Sequence, residues 1–277
     1  MVQPVNMDGQ GQRSAVREAF DTVAGGYDRP ALRFFPESAR HLASMLGLRC
    51  DERVLDVATG TGHAALALAR CLPRGRVTGV DFSAGMLEQA RRKASTEGVG
   101  NVEFLERDMQ ALGFQPGAFD AATCAFGIFF VEDMGAQLAH IAGAVRSGGQ
   151  VAITCFQESY FHPLKELMVR RLADHGVQPP TPVWLRIANE AGCRELFARA
   201  GLRDVRVEQR NLGYFLADER EWWDVVWNAG FRRLVSQLPP AEQDRFRQDH
   251  LEEVAALATP DGIWLDIGVQ FTVGVTP

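Results

Sequence analysis

One short stretch, VLDVATGTGHAALALA at residues 54–69, restricts what this chain can fold into more than any other part of it. An apolar, strand-like run ends in Gly60-Thr61-Gly62 and passes directly into helical text. Gly60 to Ala65 fits the G-x-G-x-x-G/A turn, where glycines let the backbone approach a ligand closely. The helix that follows points its free N–H groups and positive dipole end at the same spot. Asp56 lies just ahead of the glycines, inside the strand. About 20 residues beyond Gly62, Asp81 closes the next strand-like run, where a carboxylate accepts hydrogen bonds from both hydroxyls of a ribose. These features imply a ribose-bearing ligand with a polar or anionic group facing the helix.

The surrounding text supplies the sheet that such a turn needs. Strand-like runs RVLDVA (53–58), RVTGVD (76–81), NVEFLE (101–106), FDAATC (119–124) and QVAITC (150–155) alternate with helical stretches near 63–72, 84–97 and 134–146. That alternation predicts a parallel sheet covered on both faces. Before it, Val16, Phe20 and Val23 recur at helical spacing until Gly25-Gly26, and a second helix is expected over about 37–48. Residues 1–12 are polar and are expected to be mobile. After residue 156 the texture changes, and all five tryptophans lie there: Trp184, Trp222, Trp223, Trp227 and Trp264. PPTPVW (179–184) cannot be a helix interior, because proline lacks the donor and clashes with the preceding turn. A helix near 190–200, a strand over 202–212, helical text over 218–258 and one long β run over 263–275 complete the prediction.

Composition excludes several classes. The net charge of −6 over 277 residues opposes general nucleic-acid binding, which needs clustered Lys and Arg. No apolar run approaches the roughly 20 residues of a membrane span. The first residues lack a basic segment followed by an apolar one, so no secretory signal is expected. The five cysteines form no C-x-x-C pair and read as small buried hydrophobes of a reduced, cytoplasmic protein. The six histidines form no metal-ligand pattern, so no metal is expected.

The glycine turn and Asp81 alone suit NAD(P) and adenosylmethionine equally. The ordered segments VLDVATGTGHAALALA, VTGVDFSAGMLEQARRKA, VEFLERDMQAL, FDAATCAFGIFF and VRSGGQVAI decide between them. In that order they resemble the successive motifs of class I S-adenosylmethionine-dependent methyltransferases, above all the ubiquinone/menaquinone-biosynthesis-like (type 11) group. The resemblance covers about residues 13–155. It implies a Rossmann-like doubly wound α/β sheet of seven strands, the last antiparallel, with helical cap insertions. The 263–275 run would supply that antiparallel strand beside 202–212. The implied organisation is an N-terminal helical lid (1–36), an adenosylmethionine-binding core (37–156), and late core strands with a substrate cap (157–277; cap 157–189 and 214–260).

The resemblance also implies site roles. Asp56, Ala58, Gly60 and Gly62 match the loop that holds the methionine moiety. Asp81 matches the ribose-binding acid, and Phe82 and Met86 accompany it. Asp108 and Met109 match the pair that recognises adenine. Ala125 and Phe126 match the segment near the transferable methyl, and Tyr27 matches a tyrosine that closes over the cofactor. Two stretches depart from the quinone group: GIFFVED (127–133) replaces its GLRNV-like text, and residues 212–263 are extra. A specialised-metabolite acceptor therefore competes with a quinone.

The implied reaction moves a methyl group from S-adenosyl-L-methionine to a small, apolar or aromatic acceptor by in-line displacement, leaving S-adenosyl-L-homocysteine. Positioning and exclusion of water carry such a transfer, with help from a base where the acceptor is a hydroxyl or an acidic carbon. The family fixes no catalytic residue; His162, Glu158 and His175 are the candidates, since they follow the fifth strand. Trp223, Trp227 and Phe231, at successive i+4 steps, and Trp184 are candidates for an apolar substrate pocket. The alternatives are an adenosylmethionine-binding protein without methyl transfer, a macromolecule methyltransferase, and an NAD(P) oxidoreductase. The last is opposed by Asp56 and by the motifs after strands three and four.

Overall fold

A computed structural model of the chain describes residues 9–277. Of the stretch expected to be mobile, residues 1–8 lie outside the described residues, whereas Gly9 already begins helix α1 (Gly9–Val23). After α2 (Phe34–Met45), the alternation forms as expected: β1 (Arg53–Val57), α3 (His63–Cys71), β2 (Arg76–Asp81), α4 (Ala84–Thr96), β3 (Val102–Glu106), β4 (Phe119–Ala125), α5 (Met134–Gly143) and β5 (Val145–Phe156). The later half adds α6 (Leu164–Asp174), α7 (Glu190–Arg199), β6 (Arg203–Asn211), β7 (Tyr214–Leu216), α8 (Glu219–Asn228), α9 (Arg232–Val235), α10 (Pro240–Ala255), β8 (Ile263–Leu265) and β9 (Gly268–Val275).

The main sheet has seven strands in the order β3-β2-β1-β4-β5-β9-β6. β9 runs antiparallel between β5 and β6, and the β1 to β5 pairings are parallel. Apolar runs form these strands because both faces are covered: Val54, Leu55 and Val57 of β1 are fully buried. Strand order reverses between β1 and β4, which opens a crevice at the carboxyl ends of the strands.

The structure corrects the sequence reading in two places. The run 263–275 is two strands, because the Asp266 carboxylate accepts bonds from Ser159 Oγ (3.0 Å), Asn211 Nδ2 (2.6 Å) and the Gly268 N–H (3.1 Å). β8 therefore leaves the main sheet and pairs with β7 in a separate ribbon. The helical text 218–258 is three helices, and Gly230, at φ +116°, separates the first two. Phe231 lies beyond the end of α8, so the i+4 series through Trp223 and Trp227 does not continue onto it as one helix face. The proline run forms no helix and leads into a 3-10 turn at Val183–Ile187, as expected.

Candidate functional site

The crevice holds a cavity with about 160 Å³ of room for the centres of water molecules. That is an order of magnitude more than the roughly 10–15 Å³ one ordered water needs, so the space is ligand-sized. Of the twelve residues expected at a cofactor, ten line it: Tyr27, Ala58, Gly60, Asp81, Phe82, Met86, Asp108, Met109, Ala125 and Phe126.

Asp56 and Gly62 do not line the cavity; they shape the loop from beneath. Asp56 is buried in β1 and accepts hydroxyl bonds from Thr59 (2.5 Å) and Thr123 (2.6 Å), which ties the loop to β4. Burial pushes its pKa up to about 6 against the pull of those two hydroxyls. Gly62 caps α3 at φ +83°, and a Cβ there would stand 3.0 Å from Ala90 Cβ and 3.1 Å from the Phe104 ring. At Gly60 a Cβ would meet nothing within 4 Å, so its bare backbone faces open space.

Asp81 is the electrostatic centre. Burial raises its pKa, opposed by bonds from the Ser83, Gly60 and Phe82 amides. Oδ2 accepts from the Gly60 N–H at 2.8 Å and Oδ1 from the Ser83 N–H at 2.9 Å. A carboxylate has about four acceptor positions, so with the three amides bound at least one remains for a hydroxyl of a ligand in the cavity. Ser83 caps α4 by accepting from the Met86 N–H (3.1 Å), which fixes Phe82 and Met86 at the cavity edge. Beyond β3, Asp108 accepts from the Gln110 N–H (2.8 Å), and the Met109 carbonyl accepts from Gln137 Nε2 (2.6 Å).

The opposite wall is built on strained backbone. Ala58 and Phe126 both have positive φ, +54° and +53°, a region that costs a non-glycine residue roughly 1–2 kcal/mol. Phe126 is held there because its N–H reaches the Thr154 carbonyl (3.1 Å) and hydroxyl (3.2 Å). Gly127 follows, where a Cβ would collide with Ala58 Cβ at 2.6 Å. Phe126 stacks on Phe156 and Phe156 on Tyr160, with ring centroids 4.5 Å apart in each pair. Trp184 closes edge-on over Tyr160 at 4.9 Å.

Residues of α1 and the turn after it cover the cavity. Arg13, Val16 and Phe20 line it, and Phe20 meets Phe130 edge-to-face at 5.2 Å. Arg13 lies 3.7 Å from the Asp108 carboxylate. Tyr27 stacks on Phe35 at 4.7 Å, and burial together with the charges of Asp81 and Asp28 pushes its phenol pKa up.

The structure does not bring the three candidate bases to this cavity. His162 is exposed and pairs with Glu166 on α6 (3.2 Å). Glu158 is exposed, and its carbonyl accepts from Lys165 Nζ (2.8 Å). His175 pairs with Glu242 of α10 (3.6 Å) and lies edge-on to Phe246. Position after β5 suggested them, but the chain there turns into α6 and the cap. Nor do Trp184, Trp223, Trp227 and Phe231 line the cavity. Trp184 backs the ring stack, whereas Trp223 and Trp227 stack on each other at 6.0 Å and carry the Arg247 and Arg232 guanidiniums. Phe231 packs against Trp222 and Phe161 inside the cap.

The lining also includes residues the sequence reading did not single out: Arg107, Gln110, Phe130, Val131 and Glu132. The stripe Val16 and Phe20 was visible as helix periodicity, yet periodicity gives a face and not what that face covers.

A nucleotide-type site at the switch point of a doubly wound sheet, closed by an N-terminal helix, defines a cofactor-binding α/β enzyme. Comparison with known proteins gives the family. Residues 54–149 match the family described as "Methyltransferase domain". The aklanonic acid methyltransferase of Streptomyces sp. (strain C5) is 31% identical over 149 residues, 53% of this chain and 68% of that protein. The ubiquinone/menaquinone biosynthesis C-methyltransferase of Marinomonas sp. (strain MWYL1) is 32% identical over 185 residues, 64% of this chain and 71% of that protein. Among solved structures, the YcgJ protein of Bacillus subtilis superposes with a TM-score of 0.58 at 21% identity, covering 87% of this chain and 98% of that one. The chain belongs to the S-adenosylmethionine-dependent methyltransferase family. No helix among the described residues is long and apolar enough to cross a membrane.

Proposed function

We propose that the cavity is the adenosylmethionine site and that the enzyme methylates a small, apolar or aromatic metabolite beside Phe126. The observation that carries this reading is the continuity of the cavity wall at Phe126 with the stacked rings of Phe156 and Tyr160.

The residues suit the cofactor. The acceptor capacity that the amides leave on Asp81 serves the ribose hydroxyls, and Phe82, Asp108 and Met109 frame the adenine. The open backbone at Gly60, with Ala58 beside it, receives the methionine portion. When bound, the cofactor supplies a methyl group already activated on a sulfonium. The chain's task is then to orient the acceptor and to exclude water. No residue from Ala125 to Val131 carries an ionisable group; on this side the ionisable groups are Glu132 at the cavity edge and the Tyr160 phenol at the end of the ring stack. An acceptor that brings its own acidic carbon or hydroxyl fits such a wall. Residues 9–36, from α1 into the start of α2, act as the lid, and the net charge of −6 favours a small acceptor over nucleic acid. Relatives named for methylating aklanonic acid and demethylmenaquinone support an organic small-molecule acceptor.

The test is methyl transfer from labelled adenosylmethionine to a panel of small aromatic and lipid-like acceptors, with RNA and protein as alternatives. Adenosylhomocysteine released with an aromatic acceptor, and a raised acceptor KM in Phe126→Ala, are expected. Release only with RNA or protein would overturn the acceptor class.

A further inference from the structure

We infer that Asp28 is a positioning residue for the cofactor: it fastens the segment carrying Tyr27 to the glycine loop and so sets how long the ligand stays bound. This rests on the reading of the cavity as the adenosylmethionine site. Three elements of the core converge on one oxygen of this carboxylate. Asp28 Oδ1 accepts from Thr61 Oγ1 at 2.7 Å and lies 2.8 Å from His63 Nε2 and 2.9 Å from Lys93 Nζ. Thr61 sits between the two glycines of the loop, His63 opens α3, and Lys93 comes from the last turn of α4.

The fastening is not an ordinary surface ion pair. The Lys93 and His63 side chains are 17% and 19% exposed, and Lys93 Nζ lies 3.3 Å from His63 Nδ1. Removing Asp28 would leave a half-buried ammonium against an imidazole with no anion between them, the situation that makes broken pairs costly. Burial alone would raise the Asp28 pKa, yet the bonds from His63, Thr61 and Lys93 hold it well below the ordinary carboxylate range. Burial also lowers the Lys93 pKa, consistent with an ammonium that depends on its partner.

The same segment is anchored a second time, at Asp21. Its Oδ1 accepts from Ser83 Oγ (2.5 Å) and from the Gly85 N–H (3.1 Å) at the start of α4. Phe20 and Tyr27, which line the cavity, are thus each followed directly in the chain by a carboxylate anchored on the core. The Asp28 anchor differs in holding the glycine loop itself. Ligand grip and lid closure therefore share one set of bonds, and the ligand can leave only after Asp28 lets go. Nothing in the local sequence links His63, at the start of α3, to Asp28; only the fold brings the two together.

The experiment measures adenosylhomocysteine affinity and dissociation rate, by calorimetry and stopped-flow fluorescence. It compares the wild type with Asp28→Asn, Lys93→Met and the double variant, and follows amide exchange of residues 13–33 with and without ligand. We expect Asp28→Asn and Lys93→Met each to speed dissociation about tenfold or more. The double variant should be no worse than the worse single one, because both break the same contact. Ligand should slow amide exchange of residues 13–33 in the wild type and do so less in the variants. A dissociation rate that stays at the wild-type value in both single variants overturns the inference, whatever happens to their melting temperatures. Strictly additive effects in the double variant would also overturn it, since the pair would then not act as one contact. Failure of the wild type to bind adenosylhomocysteine would instead sink the reading of the cavity, and the wild-type titration separates the two.

Discussion

The glycine-loop half of the cavity and the helical cap handle their side chains in opposite ways. Around the loop the key features are backbone: positive φ at Ala58, Gly60, Gly62 and Phe126, and amides of Gly60 and Ser83 directed at one carboxylate. In the cap the key features are rings packed on rings. Trp222, Phe161 and Phe246 are fully buried, and Trp222 Nε1 donates to His250 Nε2 at 2.8 Å. A ligand of fixed shape is best met by backbone geometry, which one methyl group can disrupt. An apolar cap needs only volume and ring contact, so its residues can be exchanged as long as packing density is kept. Changes in the cap should therefore cost stability and spare cofactor binding, whereas changes near the loop should cost cofactor affinity, and stability as well where a new methyl meets neighbouring backbone or Cβ atoms.

The largest expected effect is Trp222→Ala. Emptying a fully buried indole should cost about 3–5 kcal/mol of stability, read by denaturant unfolding, with adenosylhomocysteine affinity of the folded protein unchanged. A parallel loss of affinity would break the separation of the two regions.

Acid should act on the cap through His250. Burial lowers its pKa from 6.5 to about 4, with the Arg171 charge adding to the effect and Glu253 opposing it. Between those values the unfolded chain takes up a proton that the folded chain refuses. Stability contributed by neutral His250 is thus complete above about pH 6.5 and is lost on the way to pH 4, by at most about 3 kcal/mol. Asp56 works in the opposite sense: with its folded pKa raised to about 6, the folded chain gains stability as pH falls from there toward 3.8. Comparing His250→Gln with the wild type isolates the cap contribution. The variant should lose less stability between pH 6.5 and 4.5, and parallel curves would contradict this account.

At the loop, Gly127→Ala should cost about 1–3 kcal/mol, because its new methyl meets Ala58 Cβ at 2.6 Å. Ala58→Gly removes that methyl and should restore most of the loss in the double variant. Equal costs with and without Ala58 would show that the two positions do not touch. The smallest effect is expected for His162→Ala, an exposed residue away from the cavity: within about 0.5 kcal/mol in stability and no change in ligand affinity.

What the sequence made legible follows the same division. The strand alternation, the glycine turn and Asp81 are local patterns, the other site residues came from the resemblance of the ordered motifs, and ten of the twelve residues so named meet in one cavity. The cap was legible only as texture. The Trp223–Trp227–Phe231 spacing suggested one continuous face, but Gly230 ends the helix before Phe231. The 263–275 run reads as uniform β text, and the bonds that divide it at Asp266 come from Ser159 and Asn211, distant in the sequence. The Asp28 cluster was invisible for a similar reason: its members, at 28, 61, 63 and 93, meet only after the sheet has formed.

The central claim is that Asp81 and the glycine loop hold adenosylmethionine. Calorimetric titration with adenosylmethionine, adenosylhomocysteine and NADH, for the wild type and Asp81→Ala, tests it most directly. The account predicts one site for the first two ligands, none for NADH, and a loss of about 100-fold or more in affinity in the variant, since charge-assisted bonds are lost. Unchanged affinity in Asp81→Ala, or binding of NADH alone, would contradict it.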